Sequence, residues 1–160
     1  MSNSWLLGRC RWILLWAIVL CLSGCGQRNV DLANNQIGIG LPDHFIIKAE
    51  VADTEAERER GLSGRANLAA DAGMWFSFEQ NGKYPIWMPD MNFAIDIIWV
   101  SDDFQVVEIA QRVAPEPGVS KSQLKRYTNQ SLAMYILEVP AGTAAAHKLG
   151  VGSQLELISS

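Results

Sequence analysis

Beyond residue 73 the chain is cut into six short apolar, aromatic or β-branched stretches, at residues 74–78, 86–88, 94–100, 104–113, 131–139 and 154–158. Runs of this length, separated by Gly, Pro, Asp and Ser, suit strands, whereas a core helix needs about 10–12 residues or more with a 3.6-residue period. The spacing predicts a mainly β fold. Ser101, Asp102 and Asp103 lie between two of the longer runs and read as a short hairpin connection. Residues 114–128 carry two prolines, Gly118, two serines and three cationic residues, the composition of a surface loop. Upstream, Ile47, Ala49 and Val51 alternate with Ile46, Lys48 and Glu50, a strand with one face toward water. The period then changes. Thr54 with Glu57 three residues on forms a capping box, Glu55 and Arg58 are spaced to pair on one helical face, and Gly61 suits a stop, so residues 54–61 read as one short helix. A second is expected over residues 144–149, capped by Thr143 and ended by Gly150.

The first 25 residues have a different character. Eleven apolar residues, Trp12 to Leu22, follow Arg9 and Arg11. That is short for a membrane-spanning helix, which needs about 20 apolar residues, and suits the core of a signal peptide. The run ends in Leu22, Ser23, Gly24 and Cys25, which resembles the lipobox of bacterial lipoproteins. That resemblance implies cleavage after residue 24 and a diacylglycerol, with acyl chains such as palmitate, on Cys25. Gly26 lacks the acidic second residue associated with inner-membrane retention, which favours the outer membrane in a Gram-negative cell. The expected organisation is a cleaved signal peptide at 1–24, a lipidated Cys25 and flexible tether at 25–43, and one domain at 44–158.

Removing residues 1–24 takes away Arg9 and Arg11, so 13 − 2 = 11 basic residues face 17 acidic ones and the net charge is −6. A mildly acidic surface gives no electrostatic reason to bind nucleic acid. Cys10 and Cys21 leave with the signal, and Cys25 alone remains. The domain then has no disulfide, thiolate metal site or free Cys nucleophile, and its stability rests on packing.

Four local patterns recur in order: Val51, Ala52, Asp53 and Thr54 through Arg60, Gly61 and Leu62; then Gly73, Met74, Trp75 and Phe76; then Ile86, Trp87 and Met88 with Ile95, Asp96, Ile97 and Ile98 behind them; and finally Leu137 through Gly142. Together they resemble an uncharacterised prokaryotic family, domain of unknown function 192, over about residues 44–158. The resemblance implies a compact single-domain sandwich or jelly-roll-like barrel with one or two short helices. It implies no reaction, cofactor or catalytic residue. Trp75 departs from it, standing where an aliphatic residue is more usual.

Candidate site residues come from the residues themselves. Asp96 interrupts an apolar strand on the face of Ala94, Ile98 and Val100. A buried carboxylate needs partners, and it is expected as a structural hub with Arg60 or Arg65 as counter-ion. Trp75 shares a strand face with Ser77 and Glu79, which suggests an exposed indole in polar company, a stacking platform for a sugar or peptide. Trp87 precedes the Pro89–Asp90 turn, where a loop can present it. Trp99 reads as core beside Ile95 and Ile97. Met88, Met91, His44 and His147 invite a copper reading that their small number and separation along the chain do not support, so no metal or other cofactor is expected. No nucleophile elbow or phosphate loop is present in the sequence. A glycosidase needs only two carboxylates about 5–10 Å apart, which Asp96 with Asp90 or Glu138 leaves open.

The expectation is a lipid-anchored, periplasm-facing β protein that binds an extended polar ligand, such as envelope glycan, without turnover, through Trp75, Trp87, Asp90, Asp96 and Arg60. The alternatives are a carboxylate-based cell-wall hydrolase and an assembly factor that meets a protein partner.

Overall fold

A computed structural model describes residues 31–158. The signal segment, the lipobox and Cys25 lie outside the described residues. Seven strands form one mixed sheet: β1 (Gln36–Gly40), β2 (Ile46–Ala52), β3 (Ala72–Gly82), β4 (Ile95–Val100), β5 (Val106–Val113), β6 (Ala133–Pro140) and β7 (Glu156–Ile158). Their order is β5-β4-β6-β3-β2-β1-β7. All neighbours are antiparallel except β2 and β3. Parallel strands need a crossover, and the short helix α1 (Glu55–Arg60) supplies it.

The fold is mainly β, as the apolar runs predict, and sandwich-like, as the family resemblance implies, and the sheet does not close. Its edges nonetheless meet. An isolated bridge joins Gln105, ahead of β5, to Gln154, ahead of β7, and Val106 N–H donates to Ser153 O at 2.8 Å. The sheet therefore curls around one apolar cluster containing Ile39, Ile47, Trp75, Ile98, Leu137 and Val139. A second cluster covers the opposite face, with Met74, Phe76, Ile95, Ile97, Trp99 and Ile136. All six residues of β4 are buried. Covering both faces of the central strands explains why β4 and β6 read as nearly continuous apolar runs.

α1 follows its sequence signals closely. Glu57 N–H donates to Thr54 Oγ1, and the Glu57 carboxylate receives the Thr54 N–H, completing the capping box. Gly61 ends the helix at φ 48°. The expected Glu55–Arg58 pair is replaced by a tertiary role. Arg58 donates to Asp53 O and to Ser77 O and lies 5.2 Å from the Phe78 ring centroid, fastening α1 onto β3.

Several expectations are corrected. Part of the expected tether is strand: Gln36–Gly40 pairs with both β2 and β7. Its two glycines hide the alternation, because they carry no side chain that could report burial. Gly38 is required by crowding, since a Cβ there would stand 2.9 Å from Ile158 Cβ. Residues 86–88 contribute only an isolated bridge, Ile86 to Tyr127. The second helix, α2, is shorter than expected (Thr143–Ala146), and its N-cap is Gly142. Thr143 Oγ1 instead donates to Pro140 O at 2.7 Å. The 101–105 connection is a hairpin, turned by Phe104 at φ 61° and closed by Ser101 N–H to Gln105 O at 2.9 Å. The 114–128 loop holds one 3-10 turn, Lys121–Gln123.

Candidate functional site

The five candidate residues separate into three places. Asp96 is wholly buried and is the expected hub, with partners other than those expected. β5 carries a bulge opposite it: Ile95 pairs with Val113 but Ile97 with Ala110, and Arg112 sits at φ 52°. The bulge frees Arg112 N–H from the ladder, and it donates to Asp96 Oδ1 at 2.7 Å. Asp96 Oδ2 receives Gly142 N–H at 3.0 Å and Ala144 N–H at 2.9 Å. One carboxylate thus ties β4 to the β5 bulge and to the start of α2. The counter-ion expectation is corrected: Arg65 makes a two-pronged pair with Glu50 at 2.6 and 2.7 Å, and that guanidinium lowers the Glu50 pKa. Backbone amides are the better partners at Asp96 because they are already fixed in direction.

Trp75 is in the core, a second correction. The parity was read correctly, since Met74, Phe76 and Phe78 do lie on the other face. The environment was not. Trp75 is 3 % exposed and stacks on Tyr135 at 4.9 Å between ring centroids and on Phe104 at 6.3 Å. Its face is the inside of the curled sheet. Trp99 is core as expected, its indole N–H donating to Tyr84 O at 3.0 Å. His147 Nδ1 lies 2.7 Å from Asp43 Oδ2, so the two ends of the domain meet in space although far apart in sequence. Among the described residues there is no group of three or more His, Cys, Asp or Glu placed to hold a metal.

Trp87, Asp90 and Arg60 do converge. They line one open groove of about 560 Å³ together with Glu59, Lys121 and Arg126. Its architecture follows from the Ile86–Tyr127 bridge, which is closed by two hydrogen bonds of 2.8 Å. The bridge brings the next residue, Trp87, beside Arg126, whose guanidinium lies 4.4 Å from the indole centroid. Ser63 Oγ donates to Pro89 O at 2.8 Å and Gly64 N–H to Asp90 O at 2.9 Å, clamping the end of α1 to the 89–90 turn. Lys121 reaches Asp90 at 2.9 Å across the far wall. The groove thus has a half-buried indole between cations and carboxylates.

Beneath the groove lies a smaller cavity of about 60 Å³, and Glu138 of β6 lines it. Alternation puts Glu138 on the face of Ile136, opposite Met74 of β3 and Ile97 of β4. The residue is 5 % exposed, and burial pushes its carboxyl pKa up to about 8. No hydrogen bond or ion pair reaches that carboxyl from the described residues. No fully sealed side-chain oxygen lacks a partner, so the carboxyl keeps its residual contact through the cavity. In the sequence Glu138 is named only as a possible carboxylate partner of Asp96; its place between Leu137 and Val139, which face the other way, does not show whether its own face is covered. Asn129 was missed. It is wholly buried, accepts Tyr84 N–H at 2.8 Å and donates to Gly82 O and Ser131 O at 2.9 and 2.6 Å, holding the segment that leads to Trp87.

The model of the DUF192 family, described as "Uncharacterized ACR", matches residues 41–157, well over half of the chain. The chain belongs to this family. No curated protein matches it. Among solved structures, a Sinorhizobium meliloti 1021 protein described as a candidate transcription regulator superposes with a TM-score of 0.67 at 23 % identity, over 81 % of this chain and 98 % of that one. A protein of unknown function from Novosphingobium aromaticivorans DSM 12444 gives 0.66 at 24 % identity, over 76 % and 83 %. Identities this low carry the fold alone. Within the DUF192 domain of this chain, the Trp87 groove and the Glu138 cavity are the concave features in which candidate site residues meet.

Proposed function

We propose that this DUF192 protein is a non-catalytic binding module, carried at the bacterial envelope by lipid on Cys25, that takes an extended polar ligand such as envelope glycan in the Trp87 groove. The observation that carries the reading is the half-buried indole of Trp87 in an open groove with Arg60, Arg126 and Lys121 on one side of the charge balance and Glu59 and Asp90 on the other. A flat ring offers a stacking surface to a sugar, and the surrounding donors and acceptors serve its hydroxyl and carboxylate groups. Trp75 and Asp96 take no part, since neither lines the groove.

Titration of tryptophan fluorescence with peptidoglycan fragments and neutral oligosaccharides tests the groove. Trp87→Ala is expected to weaken binding about tenfold or more while the fold is retained. Absence of any glycan response in the wild type sinks the glycan reading and leaves a protein partner for the groove. The anchor is tested by mass spectrometry of the mature N-terminus, and an unmodified Cys25 refutes it.

One observation favours a hydrolase as second reading: Glu138, with its raised pKa, and Glu59 line the same cavity, as an acid and a base would. The binding reading is preferred on size. A glycosidic bond is cleaved with a sugar on each side of it, and a cavity of about 60 Å³ above Glu138 admits only a few atoms. Release of reducing ends from peptidoglycan, abolished by Glu138→Gln, would reverse the preference.

A further inference from the structure

Glu138 is an anomaly for a purely structural residue. A carboxyl in mid-strand, 5 % exposed and without a donor among the described residues, costs stability for no structural return, whereas Asp96 on the neighbouring strand satisfies three amides. Glu138 lines the cavity. Around it stand Leu62, Phe76, Ile86, Met88, Met91 and Ile95, all apolar, with Arg58, Glu59 and Arg60 of α1 at the rim. The lining asks for a small group that is mostly hydrocarbon with one polar atom. Two arginines at the entrance disfavour a cation, and a carboxylate would face an acid.

We propose that this cavity is a subsite for the acetamido arm of an N-acetylated amino sugar, with the methyl group against the apolar lining and the carbonyl oxygen accepting the O–H of protonated Glu138. The size agrees. A cavity of about 60 Å³ exceeds the roughly 10–15 Å³ that one water needs and suits the few heavy atoms of an acetamido group. Burial keeps the proton on Glu138 at neutral pH, so the acid is a donor and not a charge. The groove and the cavity share Arg60, Ser63, Trp87 and Pro89, so a sugar ring stacked on the indole can drop its substituent into the cavity. The subsite rests on the groove being a glycan site.

The full chain, purified in detergent, is titrated with tri-N-acetylchitotriose, with its de-acetylated trimer and with cellotriose. Wild type is expected to bind the acetylated trimer about tenfold or more tighter than cellotriose, as one hydrogen bond plus a buried methyl would give. Glu138→Leu should erase that preference, whereas Glu138→Gln, whose amide still donates, should keep most of it. Both variants are checked for a native melt. Raising the pH from 6.5 to 9.5 should weaken the acetylated trimer in wild type and not in Glu138→Gln. That variant serves as control for Arg58, Glu59 and Arg60, the charged groups facing the cavity from α1; across β3 and β4 the neighbours, Met74 and Ile97, are uncharged. Equal binding of acetylated trimer and cellotriose, both weakened by Trp87→Ala, overturns the subsite and leaves the groove. Preference for the de-acetylated trimer overturns it in favour of an ammonium site. Binding of none of them overturns subsite and groove together.

Discussion

Asp96 and Ala144 are 48 positions apart in sequence and joined by a 2.9 Å hydrogen bond from the Ala144 N–H to the Asp96 carboxylate. With the Gly142 and Arg112 amides on the same side chain, this contact decides where β6 hands over to α2 and where β5 bulges. Removing the acceptor strands three donors, the Ala144 amide buried and the other two partly so. Asp96→Ala is expected to lose about 2–4 kcal/mol by urea unfolding, and Asp96→Asn less, because one carbonyl oxygen remains. Asp96→Ala with wild-type stability would show that the loop amides find other acceptors, and the hub assignment would fail.

Trp75 and Trp87 should behave oppositely. Trp75 is packed against Tyr135 and Phe104, which stack on each other, inside the curl, so Trp75→Ala is expected to cost about 3–5 kcal/mol. Glycan titration of the folded variant should match wild type. Trp87 is half-buried at the groove, and its truncation should cost much less in stability and more in binding. Loss of glycan binding in a natively folded Trp75→Ala would put the site on the wrong face of the sheet.

How far the sequence was legible follows from what local pattern can report. The parity of β3 and β4 was plain, and so were the capping box at Thr54 and the need of Asp96 for partners. Parity says which residues share a face but not whether the face is covered, and that is why Trp75 was misread as exposed. Whether a sheet curls depends on contacts such as Gln105 with Gln154, which no local pattern encodes. The Trp87 groove was half legible. Its turn was visible in Pro89 and Asp90, but Arg126 arrives through the Ile86–Tyr127 bridge from a segment that reads only as loop. β1 was hidden by its glycines. Glu138 became conspicuous only once its strand proved to be covered on both faces.

β1 lies between β2 and β7, so it is part of the sheet and not a leader to it. A fragment starting at residue 31 is expected to unfold cooperatively with a β-type circular dichroism spectrum. One starting at residue 44 lacks the strand that pairs with Ile46–Ala52 and leaves β7 without a neighbour, and also exposes the Ile39 site in the core. It should melt well below the longer fragment or without cooperativity. Equal melting of the two would make β1 dispensable.

Glu138 gives the protein a pH dependence of definite sign. Its carboxyl pKa is near 4.5 in the unfolded chain and is pushed up to about 8 by burial in the fold. Between these values the folded state holds a proton that the unfolded state has released. Stability must therefore fall as pH rises from about 4.5 to about 8 and level off above, with a total on the order of 3–5 kcal/mol for a shift of this size. Asp43, Glu50 and Glu57 are shifted the other way, held down chiefly by His147, Arg65 and Thr54 respectively, so their contributions are lost only as pH falls below the ordinary carboxylate range. The two windows do not overlap. Urea unfolding at pH 5.5 and 8.5 should show wild type markedly weaker at the higher pH, with Glu138→Gln nearly flat between them and the more stable of the two at pH 8.5. Parallel curves for the two proteins would mean that Glu138 titrates as an ordinary solvated acid, and that the cavity above it is open enough to hydrate the charge.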